Sequence, residues 1–489
     1  MLKINLQAAL LGPILLALVL FAAPETSWAR SYCSSQNNWL TLGGNNSRDG
    51  WARDEQKMQP PLRLDWVALQ GEPELADANM IIESSPVIYN GSVFITTFFD
   101  LDIESTILIP AAQGGPVTVT DASSSLISLR LSDGFYQWHT QLGFSGVEAI
   151  PTVDPARDRI YVGARDGKFY ALDADNGNIV WSRFISSSAA AAVVDDRIFV
   201  GSSGGNGQLY ILDAANNGEI LDQKSLVGDI RSSPVATDDN ELFVVVSNGA
   251  SSVLHRYDVS NDTLDQLTHQ QTLLGDSWAS PLIRDDYIIH RSGSWHLGEP
   301  TGYVYVFNRD DLSSVIAPYE TIGSSRSSPA MDNQRLYISS NNPFRLLALD
   351  INGLLSGAND LVEWVFEPPD GGALSASPLV ANGDVYIGTD DNGDPEGVFY
   401  ALSARTGEIA WQYQATDGTG SAQSSPAIGG GKIVFVSYDE QSRVEHGVHA
   451  FSAVRPQPTH CMFDPANITL SFPSSETAIQ LPRSGIRRP

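Results

Sequence analysis

The stretch at residues 150–181, IPTVDPARDRIYVGARDGKFYALDADNGNIVW, decides the fold. Its runs at 151–153, 159–162 and 168–171 are rich in β-branched and aromatic residues and are separated by Asp, Gly and Asn, which favour turns. They predict three strands joined by hairpins. A fourth run, Ile179–Arg183, follows the turn Asp175-Asn176-Gly177 and carries Trp181, so one unit supplies four antiparallel strands. Four strands in about 40 residues is the size of a β-propeller blade.

Most of the remaining chain reads as further copies of this unit. Each copy opens on a landmark, usually Ser-Pro, found at Ser85-Pro86, Ile150-Pro151, Ser233-Pro234, Ser280-Pro281, Ser328-Pro329, Ser377-Pro378 and Ser425-Pro426. From Pro234 onward the prolines recur every 47 to 49 residues, but Pro151 and Pro234 lie 83 apart, so another copy sits between them with Ala190 in the proline's place. That makes eight copies. Proline is tolerated at the first residue of a strand and not in its middle. The second strand of each copy is an apolar run, such as Ile160-Tyr161-Val162 or Leu336-Tyr337-Ile338, which predicts burial on both faces between neighbouring blades. Tyr287-Ile288-Ile289 is its weaker fifth member.

The third and fourth strands carry the most specific pattern. Ser128-Leu129 to Gly134 and Trp138, Ala171-Leu172 to Gly177 and Trp181, and Ala401-Leu402 to Gly407 and Trp411 share a small residue, Leu, a turn ending in Gly, and Trp four residues later. Trp364 follows Ala348-Leu349-Asp350 after an insertion. This resembles the tryptophan-docking motif of the pyrroloquinoline-quinone-like (PQQ-like) repeat propellers, over about residues 39–454. The resemblance implies an all-β, eight-bladed propeller with Trp66, Trp138, Trp181, Trp364 and Trp411 as docking residues. Glycine supplies the positive φ of the turn. Copies three to five lack the motif, with Leu221 near the expected Trp, so aliphatic or weaker docking is expected there.

The last copy has three strands and no Gly-to-Trp fourth strand. Residues 62–69, LRLDWVAL, are an isolated strand with Trp66 at the docking position, and they are expected to complete the last blade, which removes the sheet's open ends. The upstream segment from Trp39 to Gly50 resembles the family's lead-in to that strand. The propeller is thus assigned to 30–457.

Composition bounds the function. With 29 basic and 57 acidic residues the formal charge is −28, which disfavours a nucleic-acid partner and suits a solvated surface. Residues 1–29 read as a secretory signal peptide: Lys3, an apolar run from Ala8 to Ala23, then Ser27-Trp28-Ala29. The run is short of the roughly 20 residues that span a bilayer, so no membrane span is expected. A periplasmic or secreted, monomeric protein follows. Cys33 and Cys461 are the two cysteines, and in an oxidising compartment they are expected to form one disulfide around a 428-residue loop; two unpaired thiols are the alternative. Residues 458–489 hold Cys461 and a polar tail.

The rim of the central channel is the expected binding surface. The position three before each landmark proline samples it: Glu83, Glu148, Ser187, Arg231, Trp278, Arg326, Ser375 and Gln423. Two arginines flanking an aromatic can hold a carboxylate-bearing or planar ligand; salt bridges to Glu83 and Glu148, or exposure to solvent, are the alternatives. The resemblance implies two functions. One is a noncatalytic envelope scaffold that binds protein partners without a cofactor, similar to the propeller of the outer-membrane β-barrel assembly machinery. That propeller is usually a lipoprotein, and Arg30-Ser31-Tyr32 before Cys33 is not a lipid-attachment box. The other is a quinoprotein dehydrogenase using PQQ and calcium, but the adjacent cysteine pair of its alcohol-oxidising members is missing here. Other motifs read as structure. The G-x-S-x-G match at 201–205 falls in a hairpin loop. The acidic run Asp390–Asp394 has Pro395 where a calcium loop needs glycine, so a solvated hairpin tip is expected, with a weak surface calcium site the alternative. His446 and His449 face opposite sides of a strand and make no metal pair.

Overall fold

The computed structural model describes residues 38–454 apart from 70–79, 82–83, 100–105, 108–116, 119–124, 144–148, 165, 205–206, 294–300, 391–396, 415–421 and 438–446. The expected signal peptide, both cysteines, Glu83, Glu148, His446 and the C-terminal segment therefore lie outside the described residues, and so does most of the Asp390–Asp394 run.

Eight antiparallel units of four strands each surround one axis, as the repeat predicts. Their innermost strands are Val87–Tyr89, Thr152–Asp154, Ala192–Val194, Val235–Ala236, Leu282–Arg284, Ala330–Met331, Leu379–Ala381 and Ala427–Gly429, which open blades 1 to 8 in that order. Second strands such as Arg197–Gly201 and Asp384–Gly388 are buried from end to end. That is the burial expected of a strand sandwiched between two blades.

Closure follows the expected route. Leu62–Ala68 pairs antiparallel with Gly447–Ala453 and becomes the outermost strand of blade 8. Its Trp66 is buried and donates from Nε1 to the Leu131 carbonyl of blade 1 at 3.0 Å. The other docking tryptophans also lean on the next blade. Trp364 and Trp411 donate to the carbonyls of Ala404 and Leu62, each at 3.0 Å. The turn glycine serves twice. Gly177 has φ +74°, and a Cβ there would come within 2.4 Å of Trp138 from the preceding blade. Gly134 is covered by Trp66 in the same way.

Three expectations are corrected. Strand pairing aligns Ala192 with Thr152, so Ala191 stands in the proline's place and Ala190 in the serine's; the rim position of blade 3 is Ser188, not Ser187. Leu221 does not occupy a docking position: Asp222 pairs with Ile211 as Trp181 pairs with Ala171. The contacts of blades 3 and 4 with the next blade are polar rather than aliphatic, and in blade 4 the tryptophan position holds His269, with the contact made two residues on by Gln271. The Asp222 carboxylate accepts from Leu264 N and Thr263 Oγ1 at 2.5 and 3.0 Å, and Gln271 donates to the Leu312 carbonyl at 2.9 Å. A carboxylate or amide satisfies the neighbouring turn's backbone as the indole N–H does elsewhere.

Two features around the axis were not anticipated. The landmark serines form a ring: the backbone N–H groups of Ala190, Ser233, Ser280, Ser328, Ser377 and Ser425 each donate to the Oγ of the next blade's serine, ending on Ser85, at 2.9 to 3.1 Å. The landmark serine is therefore the circumferential link between blades. Beyond the ring, the lead-in winds past the innermost strands in turn. Leu40, Ser47, Asp49 and Gly50 carbonyls accept from Val153, Ile283, Met331 and Val380 at 2.8 to 3.0 Å, each of these two residues after its landmark proline. Trp51–Ala52 then adds a parallel fifth strand to blade 7.

Arg48 fixes this lead-in. It is 1 % exposed, and its five N–H groups meet Pro234 O, Thr41 Oγ1, Leu42 O, Ala190 O and Ala191 O at 2.9 to 3.5 Å. Full hydrogen bonding is what lets a guanidinium be buried. Thr41 Oγ1 in turn bonds Thr152 Oγ1 at 2.9 Å. These contacts stitch blades 2 to 4 where Ile150 and Ala190 interrupt the serine ring.

Candidate functional site

The lead-in crosses the axis-facing strands two residues after the landmark prolines, whereas the rim lies three residues before them. The rim is thus the mouth of the channel that the lead-in does not occupy. Three expected rim residues meet there. The Cζ of Arg231 lies 4.4 Å, and that of Arg326 4.1 Å, from the ring centroid of Trp278. They come from the loops entering blades 4, 5 and 6, so the indole is held between cations from its two neighbouring blades. Each such contact is worth about 0.5–2 kcal/mol, rising as the site is desolvated.

The cluster is pinned from both sides. Asp229 pairs with Arg231 at 3.3 Å, and its other oxygen accepts from Gly204 N at 2.9 Å. Asp276, itself buried, accepts from Trp278 Nε1 at 3.1 Å and from Ser277 N at 2.9 Å. The ion-pair partner of Arg231 is thus Asp229, from its own loop. Ser375 is held at 3.4 Å by Asn341 of blade 6, and Gln423 is half-buried; neither joins the three-residue cluster.

Beneath this cluster blade 5 carries His290 and Arg291, where the other blades carry an apolar residue followed by glycine, serine, threonine or valine. Ser277 Oγ donates to the Arg291 carbonyl and lies 2.9 Å from His290 Nε2. With the hydroxyl proton so placed, Nε2 carries the imidazole proton and donates. Burial pushes the His290 pKa down to about 3, so the ring is neutral. Arg291 Nη1 donates to the Ser325 carbonyl at 2.8 Å, one residue before Arg326. One two-residue step therefore supports the loops bearing both Trp278 and Arg326. Sequence reading passed over His290 and Arg291; the signal was there, since the weak fifth copy follows Ile289 with His-Arg, where the other copies place an apolar residue and then a small or β-branched uncharged one.

The same face carries apolar side chains. Phe184, Val227 and Leu274 are 85 %, 93 % and 54 % exposed, and each stands where the outermost strand of blade 2, 3 or 4 leads into a rim loop. On a chain of net charge −28, this face combines two guanidinium groups with exposed apolar contacts.

On the far side of the molecule, the turns between the first and second strands of blades 4 and 5 flank a cleft of about 360 Å³ lined by Asp239, Glu241, Asp258, Asp286, Arg256 and Arg309 among others. Both arginines converge on Glu241, an internal ion-pair network. His449 is packed against Phe399 and Phe451 in the last blade. Among the described residues, no group of three or more His, Cys, Asp or Glu is arranged to hold a metal ion.

Fold and motif together define a propeller of PQQ-like repeats. The sequence pattern of the family described as outer membrane protein assembly factor BamB matches residues 99–311 and 300–444, and the chain belongs to that family. No curated protein matches the sequence. The chain shares its fold with BamB from Moraxella catarrhalis, at 17 % identity over 73 % of this chain and 96 % of that one, with a TM-score of 0.51. It shares it also with quinohemoprotein alcohol dehydrogenase from Comamonas testosteroni, at 14 % identity over 91 % and 85 % and a TM-score of 0.63. A europium-containing methanol dehydrogenase is 12 % identical over 87 % and 99 %, with a TM-score of 0.60. At such identities the likeness concerns fold alone. Among the described residues, no helix is long and apolar enough to cross a membrane.

Proposed function

We propose that this chain is a noncatalytic binding scaffold, exported to the cell envelope, which docks a protein partner on its rim face. The observation that carries this reading is the Arg231–Trp278–Arg326 cluster on a face that also exposes Phe184, Val227 and Leu274. Aromatic and arginine anchors ringed by apolar contacts are the composition of an interface centre. A carboxylate-bearing segment of the partner meets the two guanidinium groups, and its aliphatic side chains meet the exposed apolar ones. The family's description as an assembly factor supports the same reading.

Quinone and calcium catalysis fits these residues less well. A stacked quinone needs an open tryptophan face, and the indole of Trp278 is held between two guanidinium groups. A calcium ion needs converging oxygen ligands, and no such acidic group forms among the described residues. The two readings separate in one experiment. Tagged protein is incubated with envelope extract, as wild type, as Arg231→Glu/Arg326→Glu, and as the control Arg284→Glu on the far side. The scaffold reading expects a captured partner that the double variant loses at least about tenfold and the control retains. Equal capture by all three removes the rim from the function. Dye-linked alcohol or sugar oxidation after addition of PQQ and calcium establishes the enzyme instead.

A further inference from the structure

We propose that the rim cluster recognises two carboxylates at once, Asp or Glu at positions i and i+2 on one side of an extended segment of the partner; this rests on the scaffold reading above. The guanidinium carbons of Arg231 and Arg326 lie 4.4 and 4.1 Å from one ring centroid, that of Trp278, so they stand at most about 8.5 Å apart. Side chains alternate along an extended strand and each residue advances it by about 3.3 Å, so residues i and i+2 project to one side about 6.6 Å apart. Adjacent residues point to opposite sides, and i and i+4 are about 13 Å apart. The i, i+2 spacing is the one that serves both arginines.

Stacking on the indole engages the face of a guanidinium and leaves its in-plane N–H groups, which take a carboxylate in bidentate fashion. Of the five such donors on Arg231, the contact with Asp229 engages those of one nitrogen, Nη2, at 3.3 Å. The buried Asp276 spends its two oxygens on Ser277 N and Trp278 Nε1. Those bonds anchor the indole as a spacer, so that one carboxylate meets one guanidinium. A chain of net charge −28 repels an acidic partner at long range, and the match must therefore be local. A lone carboxylate gains one charge-assisted pair there, whereas a spaced pair gains two from a site that is already ordered.

The test uses the full-length protein and short labelled peptides of Val, Thr and Ser that carry Glu-x-Glu, Glu-x-Gln, Glu-Glu or Glu-x-x-x-Glu. Binding is read by fluorescence anisotropy at low salt, where exposed charges are least screened. The Glu-x-Glu peptide is expected to bind at least about tenfold more tightly than Glu-x-Gln, with Glu-Glu and Glu-x-x-x-Glu close to the single-acid level. Arg231→Gln, at a side chain 39 % exposed, should bring Glu-x-Glu down to that level while the thermal midpoint stays at its wild-type value. Arg326→Gln should weaken the same peptide, and Arg231→Gln decides the question even if Arg326→Gln does not fold. Equal binding of one-acid and two-acid peptides, binding unaltered by Arg231→Gln, or no binding of any peptide overturns the proposal. The scaffold reading is judged separately: an envelope partner that Arg231→Glu/Arg326→Glu loses, found together with any of those results, keeps the rim as the docking face and removes the paired-acid rule.

Discussion

Trp66 donates its indole N–H to the carbonyl of Leu131 at 3.0 Å, and through that bond a strand from the front of the chain docks blade 8 onto blade 1. The ring is closed by a segment at least 380 residues from its strand partner in sequence, so its docking residue acts on the whole circle. Trp66→Ala removes a side chain that is 7 % exposed and is expected to destabilise the protein by about 3–5 kcal/mol. Trp66→Phe keeps most of the packing but loses the hydrogen bond, for about 1 kcal/mol. Urea unfolding of both variants beside Trp138→Phe, whose ring is only half-buried, checks the order; equal losses at positions 66 and 138 would show that closure has no special weight.

The same ribbon carries a pH-sensitive pair. Burial works against ionisation of Asp65, but hydrogen bonds from Lys432 and Ser452, with the charges of Lys432 and Arg63, outweigh it and hold the carboxyl below its usual range. A depressed carboxyl adds stability above its unfolded pKa of about 4 and loses it as pH falls through the folded value. Lys432 and Asp65 are each mostly buried, and the pair is expected to contribute about 1 kcal/mol at pH 7. Lys432→Met should therefore lower the melting temperature at pH 7 by an amount that shrinks as pH falls below about 4. A difference that persists unchanged at pH 3 points to packing of the lysine stem.

Much of this architecture was legible because a repeat states its rule several times. Gly134, Gly177 and Gly407 each precede a tryptophan by four residues, and the turn needs glycine wherever they stand. The rim cluster was legible too, since Arg231, Trp278 and Arg326 share one offset from consecutive prolines. The docking of blades 3 and 4 was not. Asp222 replaces the tryptophan contact with different chemistry, Gln271 contacts the next turn from two residues past the tryptophan position, and no apolar signal marks either. The path of the lead-in was hidden for another reason: Leu40, Ser47, Asp49 and Gly50 contact the blades through main-chain atoms, which carry no side-chain signature.

Arg48 is the exception in that segment, and it yields a sharp expectation. Burial lowers its pKa to about 9, so it remains cationic at neutral pH with all five donors engaged. Lysine has three donors on a point charge and cannot fill the fork. Arg48→Lys is expected to destabilise by about 3 kcal/mol or more, with carbonyls of blades 3 and 4 left unpaired. Arg53→Lys, at a side chain 55 % exposed, should change stability by less than about 0.5 kcal/mol. Equal midpoints for the two variants in denaturant would remove Arg48 from its place as the anchor of the lead-in.

Asp384 predicts the opposite pH behaviour to Asp65. It opens the second strand of blade 7, where blades 2, 3 and 6 place Arg159, Arg197 and Arg335, and it is 9 % exposed. Burial pushes its pKa up to about 6. The folded state then binds this proton more tightly than the unfolded chain, so the stability the carboxyl contributes is complete below pH 4 and is lost as pH rises through about 6. At pH 8 a buried charge remains. Asp384→Asn keeps the shape and removes that charge, and it is expected to raise stability by about 1–2 kcal/mol at pH 8 while changing little at pH 4.5. Melting temperatures of wild type and variant across that range test it. A variant no more stable at pH 8 than wild type would mean that water or a cation already compensates the carboxylate.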